Sequence, residues 1–346
     1  MQEPVTDHFS YGGQAVLEGV MMRGRREMAV AVRAPSGEIV VWSDEVRSSR
    51  LARKVRKWPF VRGAVLLWDT LALGMRALVF SANVGIREDD DQQGEEGKAP
   101  QRDEGSGALV GVALWGTVAL SIAFSIGLFF VLPLLVVAFL DRYIESALVS
   151  NVVEGLIRLG LLVGYIYGIG FVPDIRRVYS YHGAEHKTIH AWEAGDELAP
   201  ARVRNYPLEH PRCGTGFLLV VMLLSVLVFL TLGRPELPLR IASRILLVPV
   251  IAGVAYEFLK FSARHARNPV WKGLMWPSLK LQRLTTRQPD DSMLEVAIAA
   301  FLRILVADDR LSPDDPRLAN ARRVDAAGRP LEQSEPTTVA VPSAAD

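Results

Sequence analysis

The sequence predicts a mainly α membrane protein, with about four transmembrane helices, an amphipathic helix, a small N-terminal β unit and a C-terminal cytoplasmic helix. Three observations carry this reading. Half of the 346 residues are hydrophobic and the mean hydropathy is +0.19, too apolar for an ordinary soluble domain. Charge is segregated: 39 Lys and Arg against 38 Asp and Glu leave a net +1, yet whole stretches carry none. The longest of these stretches exceeds the roughly 20 residues that cross a bilayer. The small net charge also argues against a nucleic-acid binder, which needs a basic surplus to neutralise phosphates. A single cysteine excludes an intrachain disulfide framework and a CxxC zinc ribbon.

Residues 11–44 read as the β unit, because EMAVAVRA and EIVVWSD are β-rich runs joined by the turn residues Pro35, Ser36 and Gly37. Glu18 and Arg23 suit an ion pair within it. Residues 58–86 are helical in period and place Arg62, Asp69 and Arg76 at intervals of seven, on one stripe. This predicts an amphipathic helix on the membrane or against the bundle, with a fifth span as the alternative. Residues 87–107 are acidic and Gly-rich, cannot bury a core and read as a flexible linker.

The membrane domain is expected over residues 108–261. No ionisable residue occurs from Gly105 to Leu140, which gives one span bent near Pro133, where a backbone donor is lost. The second span, about Ala147 to Val172, carries Glu154 and Arg158 four residues apart, a spacing that lets them pair. Cys213 to Gly233 is uncharged and forms the third. The fourth, about Leu239 to Phe261, contains Arg244, close enough to an end to snorkel, and Glu257, which needs a partner. The histidine cluster described below, Lys260 or Arg264 could supply that partner. Residues 262–306 form a cytoplasmic segment whose terminal helix is capped by Asp290 or Asp291, and residues 307–346 read as a disordered tail.

Orientation follows from the basic loops. Arg176, Arg177, Lys187, Arg202, Arg204 and Arg212 crowd the connection between spans two and three, and further Lys and Arg follow span four. This places both termini and a His-rich loop, residues 173–215, in the cytoplasm, on the inner membrane of a bacterium. Met1 to Ser10 is polar, so no cleavable signal is expected. The lipid bilayer is the expected partner, nucleic acid is not, and a homo-oligomer is open.

The chemistry concentrates in YHGAEHKTIHA, where His182, His186 and His190 recur at i, i+4 and i+8. His182 to His186 reads H-x-x-E-H, the inverted zincin pattern, with Glu185 beside the second ligand as general base. A straight helix separates His182 from His190 by about 12 Å, so one ion cannot meet all three without an unwound turn at Gly183. His210 and Cys213 form a soft His-x-x-Cys pair nearby, and Glu193 is a further candidate. The bland alternatives are an interfacial helix suited to lipid headgroups and, for Cys213, a small buried apolar residue. A divalent ion, zinc foremost, held by His182 and His186 and completed from His190, His210, Cys213 or Glu193, would favour hydrolysis. A peptide bond near the membrane or a lipid headgroup would be within reach, and the substrate is open. The rival reading is a non-enzymatic scaffold or assembly factor, and behind it a transporter relaying ions through Glu154, Arg158, Glu257 and the histidines.

Four longer motifs extend the reading: YGGQAVLEGVMMRG at 11–24, YHGAEHKTIHAWE at 181–193, HPRCGTGFLL at 210–219 and LKLQRLTTRQPDDSMLEVAI at 279–298. Together, over roughly residues 11–306, the chain resembles the bacterial YqhQ family, a group of unknown function. The resemblance implies a multi-pass membrane protein described as a metal-dependent enzyme, without a substrate. The chain departs from the pattern in its longer acidic linker and in its tail after residue 308.

Overall fold

Apolar alternation at the N-terminus builds a larger sheet than the predicted hairpin. In the computed structural model, which describes residues 9, 11–46, 61–92, 116–233, 235–265 and 268–331, the chain is mostly helical with a small N-terminal sheet. Strands β1 (Gly12–Val16), β2 (Gly19–Arg23), β3 (Glu27–Arg33) and β4 (Ile39–Glu45) form an antiparallel meander. The β3–β4 turn is the expected one, with Gly37 at φ 89°. Successive residues point to opposite faces and both faces are buried: Val20, Met22, Ala29 and Ala31 join one apolar cluster, Met21, Met28, Val30 and Val32 the other. Glu18 pairs with Arg177 rather than with Arg23.

Helix α1 (Val61–Gln92) covers the second face with Leu73, Ala77, Phe80 and Val84, spaced by one helical turn. It continues past residue 86, so the first residues of the expected linker are helical, while 93–107 lie outside the described residues. Its charged stripe is used in pairs, Arg76 with Asp44 of β4 and Arg62 with Glu257. Glu257 thus finds a partner in Arg62, on a helix far away in sequence, which the reading of its own span did not offer; the Arg264 side chain lies outside the described residues.

Among the described residues, three helices are long and apolar enough to cross a membrane: α2 (Gly116–Leu140), α3 (Ala147–Ile169) and the later α6 (Gly214–Thr231). In α2 a π-helical turn, Gly127–Val131, precedes Pro133, and the Leu132 N–H bonds the Gly127 carbonyl. Proline supplies no N–H and its ring crowds the carbonyl four residues back, and the wider turn sits where that carbonyl lies. The fourth expected span is not one straight helix. α7 (Leu237–Leu246) and α8 (Val248–Arg264) meet at an angle of 41° and pass as a span only together. Pro249, in the first turn of α8, suits a helix start and not a helix interior. Arg244 does not snorkel: it is fully buried.

The first sheet face is covered by α4 (Pro173–Glu193) and α10 (Asp291–Ala307), through Tyr181, Ala184, Ile189, Leu294 and Phe301. Asp290 caps α10 as expected, accepting from the Met293 N–H at 2.9 Å. A short helix α5 (Pro200–Val203) and α9 (Pro269–Thr285) complete the helices. Residues 308–331 of the expected disordered tail take up defined structure despite their polar composition, and 332–346 lie outside the described residues. A 3₁₀ turn (Pro316–Asn320) leads to β5 (Arg322–Arg323), parallel to β4, and Val324 is buried in the second cluster with its N–H on the Val41 carbonyl. Val324, the edge strand and the half-buried Leu311, Leu318 and Ala321, packed on the first cluster, hold a segment that hydropathy alone gives up.

Candidate metal centre

Pro173 opens α4 and Asp174 lies in its first turn, both favourable at a helix N-terminus. Tyr181, Ala184 and Ile189 lock the helix rotation against the sheet and α10. This turns His182, His186 and His190 toward the 204–213 connection, the start of α6 and the end of α9. The helix is unbroken through Gly183, so no turn unwinds to bring the three imidazoles to one point.

They divide instead into two groups. The ligand atoms of His182, His186 and Cys213 lie within 4.8 Å of one another, and so do those of His190, Glu193 and His210. His210 and Cys213, only three positions apart in sequence, therefore fall in different groups. In the first group, His182 Nδ1 is 2.9 Å from the Thr285 carbonyl and His186 Nδ1 contacts the Leu208 carbonyl. A carbonyl only accepts, so each Nδ1 carries a proton, and in the neutral tautomer this selects, Nε2 is the atom left with a lone pair. His182 Nε2 is 3.4 Å from Cys213 Sγ. Cys213 is the N-cap of α6, its sulfur accepts from the Thr215 N–H at 3.4 Å, and the helix N-terminus favours negative charge there. Glu185, 5 % exposed, places Oε2 4.0 Å from His182 Nε2.

In the second group, His190 Nε2 lies 2.9 Å from the Glu209 carbonyl and His210 Nε2 lies 3.6 Å from Glu193. That His210 atom is buried and, among the described residues, has no hydrogen-bond partner. Burial holds His190 and His210 below the ordinary imidazole pKa, which favours their neutral forms. Gln282 clamps the His210 backbone at both ends, accepting its N–H at 2.8 Å and donating to its carbonyl at 2.9 Å. Arg212 pairs with Glu193 and competes for its carboxylate. His186 joins the groups, its ring centroid 4.4 Å from that of His182 and 5.6 Å from that of His210.

Residues 58–307 match the family model described as "Protein of unknown function (DUF1385)". The chain belongs to this family. It is 35 % identical over 298 residues to the "Uncharacterized protein YqhQ" of Bacillus subtilis (strain 168), an alignment covering 86 % of this chain and 92 % of that protein. No solved structure matches. In this member of the family, sequence reasoning named all six side chains of the two groups. It missed the groups that orient them: the Thr285, Leu208 and Glu209 carbonyls, which no side chain signals, and Gln282, a neutral side chain 72 residues from His210.

Gly183 has a second role in place of unwinding. A Cβ there would lie 2.2 Å from the Arg287 carbonyl oxygen, in the segment that carries Thr285. Gly183→Ala is expected to push that segment from α4, to destabilise the protein by about 1–3 kcal/mol, and to disturb the His182 orientation. Thermal unfolding in detergent checks this, and an unchanged midpoint would remove the close approach from the account.

Proposed function

We propose that the protein is a metal-dependent hydrolase of the bacterial inner membrane, with α2, α3, α6 and the α7–α8 pair as its spans. His182, His186 and Cys213 hold a divalent ion, zinc foremost, on the cytoplasmic side. One observation carries the reading: two imidazoles whose Nδ1 protons are taken by backbone carbonyls offer both Nε2 lone pairs beside a thiol. Two imidazoles and a sulfur suit zinc, and three protein ligands are the number found at catalytic zinc sites. Bound there, such an ion supplies Lewis acidity toward a carbonyl or phosphoryl oxygen. Glu185 accepts the proton of the attacking water and returns it to the leaving group. His190, Glu193 and His210 form a second donor set, and the Arg212 pair on Glu193 argues for a single ion.

The scaffold reading loses support from the packing. The β unit and the C-terminal helix, its natural recruiting surfaces, are buried against each other.

Metal analysis of the full-length protein, purified in detergent without chelator, tests the site. The expected content is near one ion per chain, and a folded wild type without metal refutes it. Glu185→Gln is expected to retain the ion while lowering turnover of any ester or amide that the wild type cleaves by roughly 10²–10⁴-fold. Wild-type turnover by that variant would remove Glu185 from the chemistry. A reporter fused after Ala194 that proved extracytoplasmic would invert the orientation.

A further inference from the structure

At the opposite ends of α3 and α6 from the histidines, three arginines converge on one carboxylate. Arg158 donates to Glu154 Oε1 and Arg240 to Oε2, each at 2.9 Å, and Arg244 donates to both oxygens at 3.2 Å. Arg240 also reaches Asp141 at 3.0 Å, and Arg244 reaches the Asn151 amide oxygen at 2.9 Å. The arginines and Glu154 are at most 4 % exposed. Aromatic rings complete the surroundings, Phe229 at 4.2 Å from the Arg244 guanidinium and Phe130, from the π turn of α2, at 5.3 Å from that of Arg158. Glu154 and Arg158 lie seven and eleven residues into α3, about 10 and 17 Å from its start.

The charges of this cluster do not balance among the described residues. Among the described residues, the ion pairs of these three cations involve two carboxylates, Glu154 and Asp141. Charge buried among apolar helices is unfavourable unless it is paired. Two donors also stand idle: Arg158 Nε and Arg240 Nε are buried and, among the described residues, have no hydrogen-bond partner. Excess positive charge and spare guanidinium N–H groups from different helices call for an anion with several acceptor oxygens, and the guanidinium fork matches such oxyanions.

We propose that Arg158, Arg240 and Arg244 bind a phosphate group, either inorganic phosphate or the headgroup of a phospholipid, and that Glu154 opposes it electrostatically. The site is independent of the histidine centre. The full-length protein in phosphate-free detergent is titrated with inorganic phosphate, phosphatidylglycerol and diacylglycerol of the same chains, and followed by thermal shift and native mass spectrometry. The wild type is expected to respond to one of the two phosphates and not to diacylglycerol. A response to inorganic phosphate identifies the free ion, and a response to phosphatidylglycerol alone identifies the headgroup. Arg240→Gln is expected to weaken the response at least tenfold, and Glu154→Gln to strengthen it. No response in folded wild type overturns the proposal, as does unchanged affinity in Arg240→Gln. If Arg240→Gln does not fold, Glu154→Gln decides: binding no stronger than wild type overturns the proposal.

Discussion

Replacing Cys213 by serine is expected to lower zinc affinity by at least about 100-fold while leaving the fold in place. Loss of a group that merely orients a ligand lowers metal affinity roughly 10–100-fold, and removal of a ligand exceeds that. The substitution separates binding from folding because Cys213 is the N-cap of α6, and serine is among the best N-caps. Competition against a chromophoric chelator measures the loss. His186→Ala belongs to the same group and is expected to behave alike, whereas His190→Ala, in the other group, is expected to stay within about tenfold of wild type. The reverse order, with Cys213→Ser intact and His190→Ala deficient, would move the ion to His190, Glu193 and His210.

Phe301→Ala is expected to destabilise the protein by about 3–5 kcal/mol, the range for deleting a fully buried aromatic ring. Phe301 is 0 % exposed on α10, and its ring meets Tyr11 at 5.3 Å and Trp192 at 5.7 Å, both edge to face. It therefore ties together the segment leading into β1, the end of α4 and α10. A loss of this size is a large part of the 5–15 kcal/mol typical of a whole domain. Denaturant unfolding followed by near-ultraviolet circular dichroism reads it, and a change below about 1 kcal/mol would show that the ring is not a core anchor.

Where a property is local, the sequence displays it. Uncharged runs announce α2 and α6, and the four-residue spacing of Glu154 and Arg158 announces their pair, at 2.9 Å in the fold. The same local logic leads astray at Arg244, whose partners Glu154 and Asn151 are about 90 residues away, a separation that spacing along one helix cannot register. Similarly, Arg62 meets Glu257 across 195 residues of sequence that include three long apolar helices. The β-hairpin of β3 and β4 was legible from its β-rich runs, but β1 carries adjacent glycines and β5 has only two residues, so neither presents a strand pattern. At the candidate centre, the i, i+4, i+8 histidines fix a common face. Their division into two groups depends on Cys213, 31 residues beyond His182 at the mouth of another helix.

The carbonyls that set the imidazole tautomers also define how the site would tolerate evolutionary drift. Thr285 contributes a backbone oxygen to His182 and Leu208 one to His186, and every amino acid carries that oxygen. Exchange of either side chain leaves the acceptor in place, whereas loss of one residue between Arg204 and Cys213 would carry the Leu208, Glu209 and His210 contacts out of register together. Selection at these positions would therefore act on the length of the connection and only weakly on its letters. Insertions and deletions, more than substitutions, would mark the relatives that have abandoned the site.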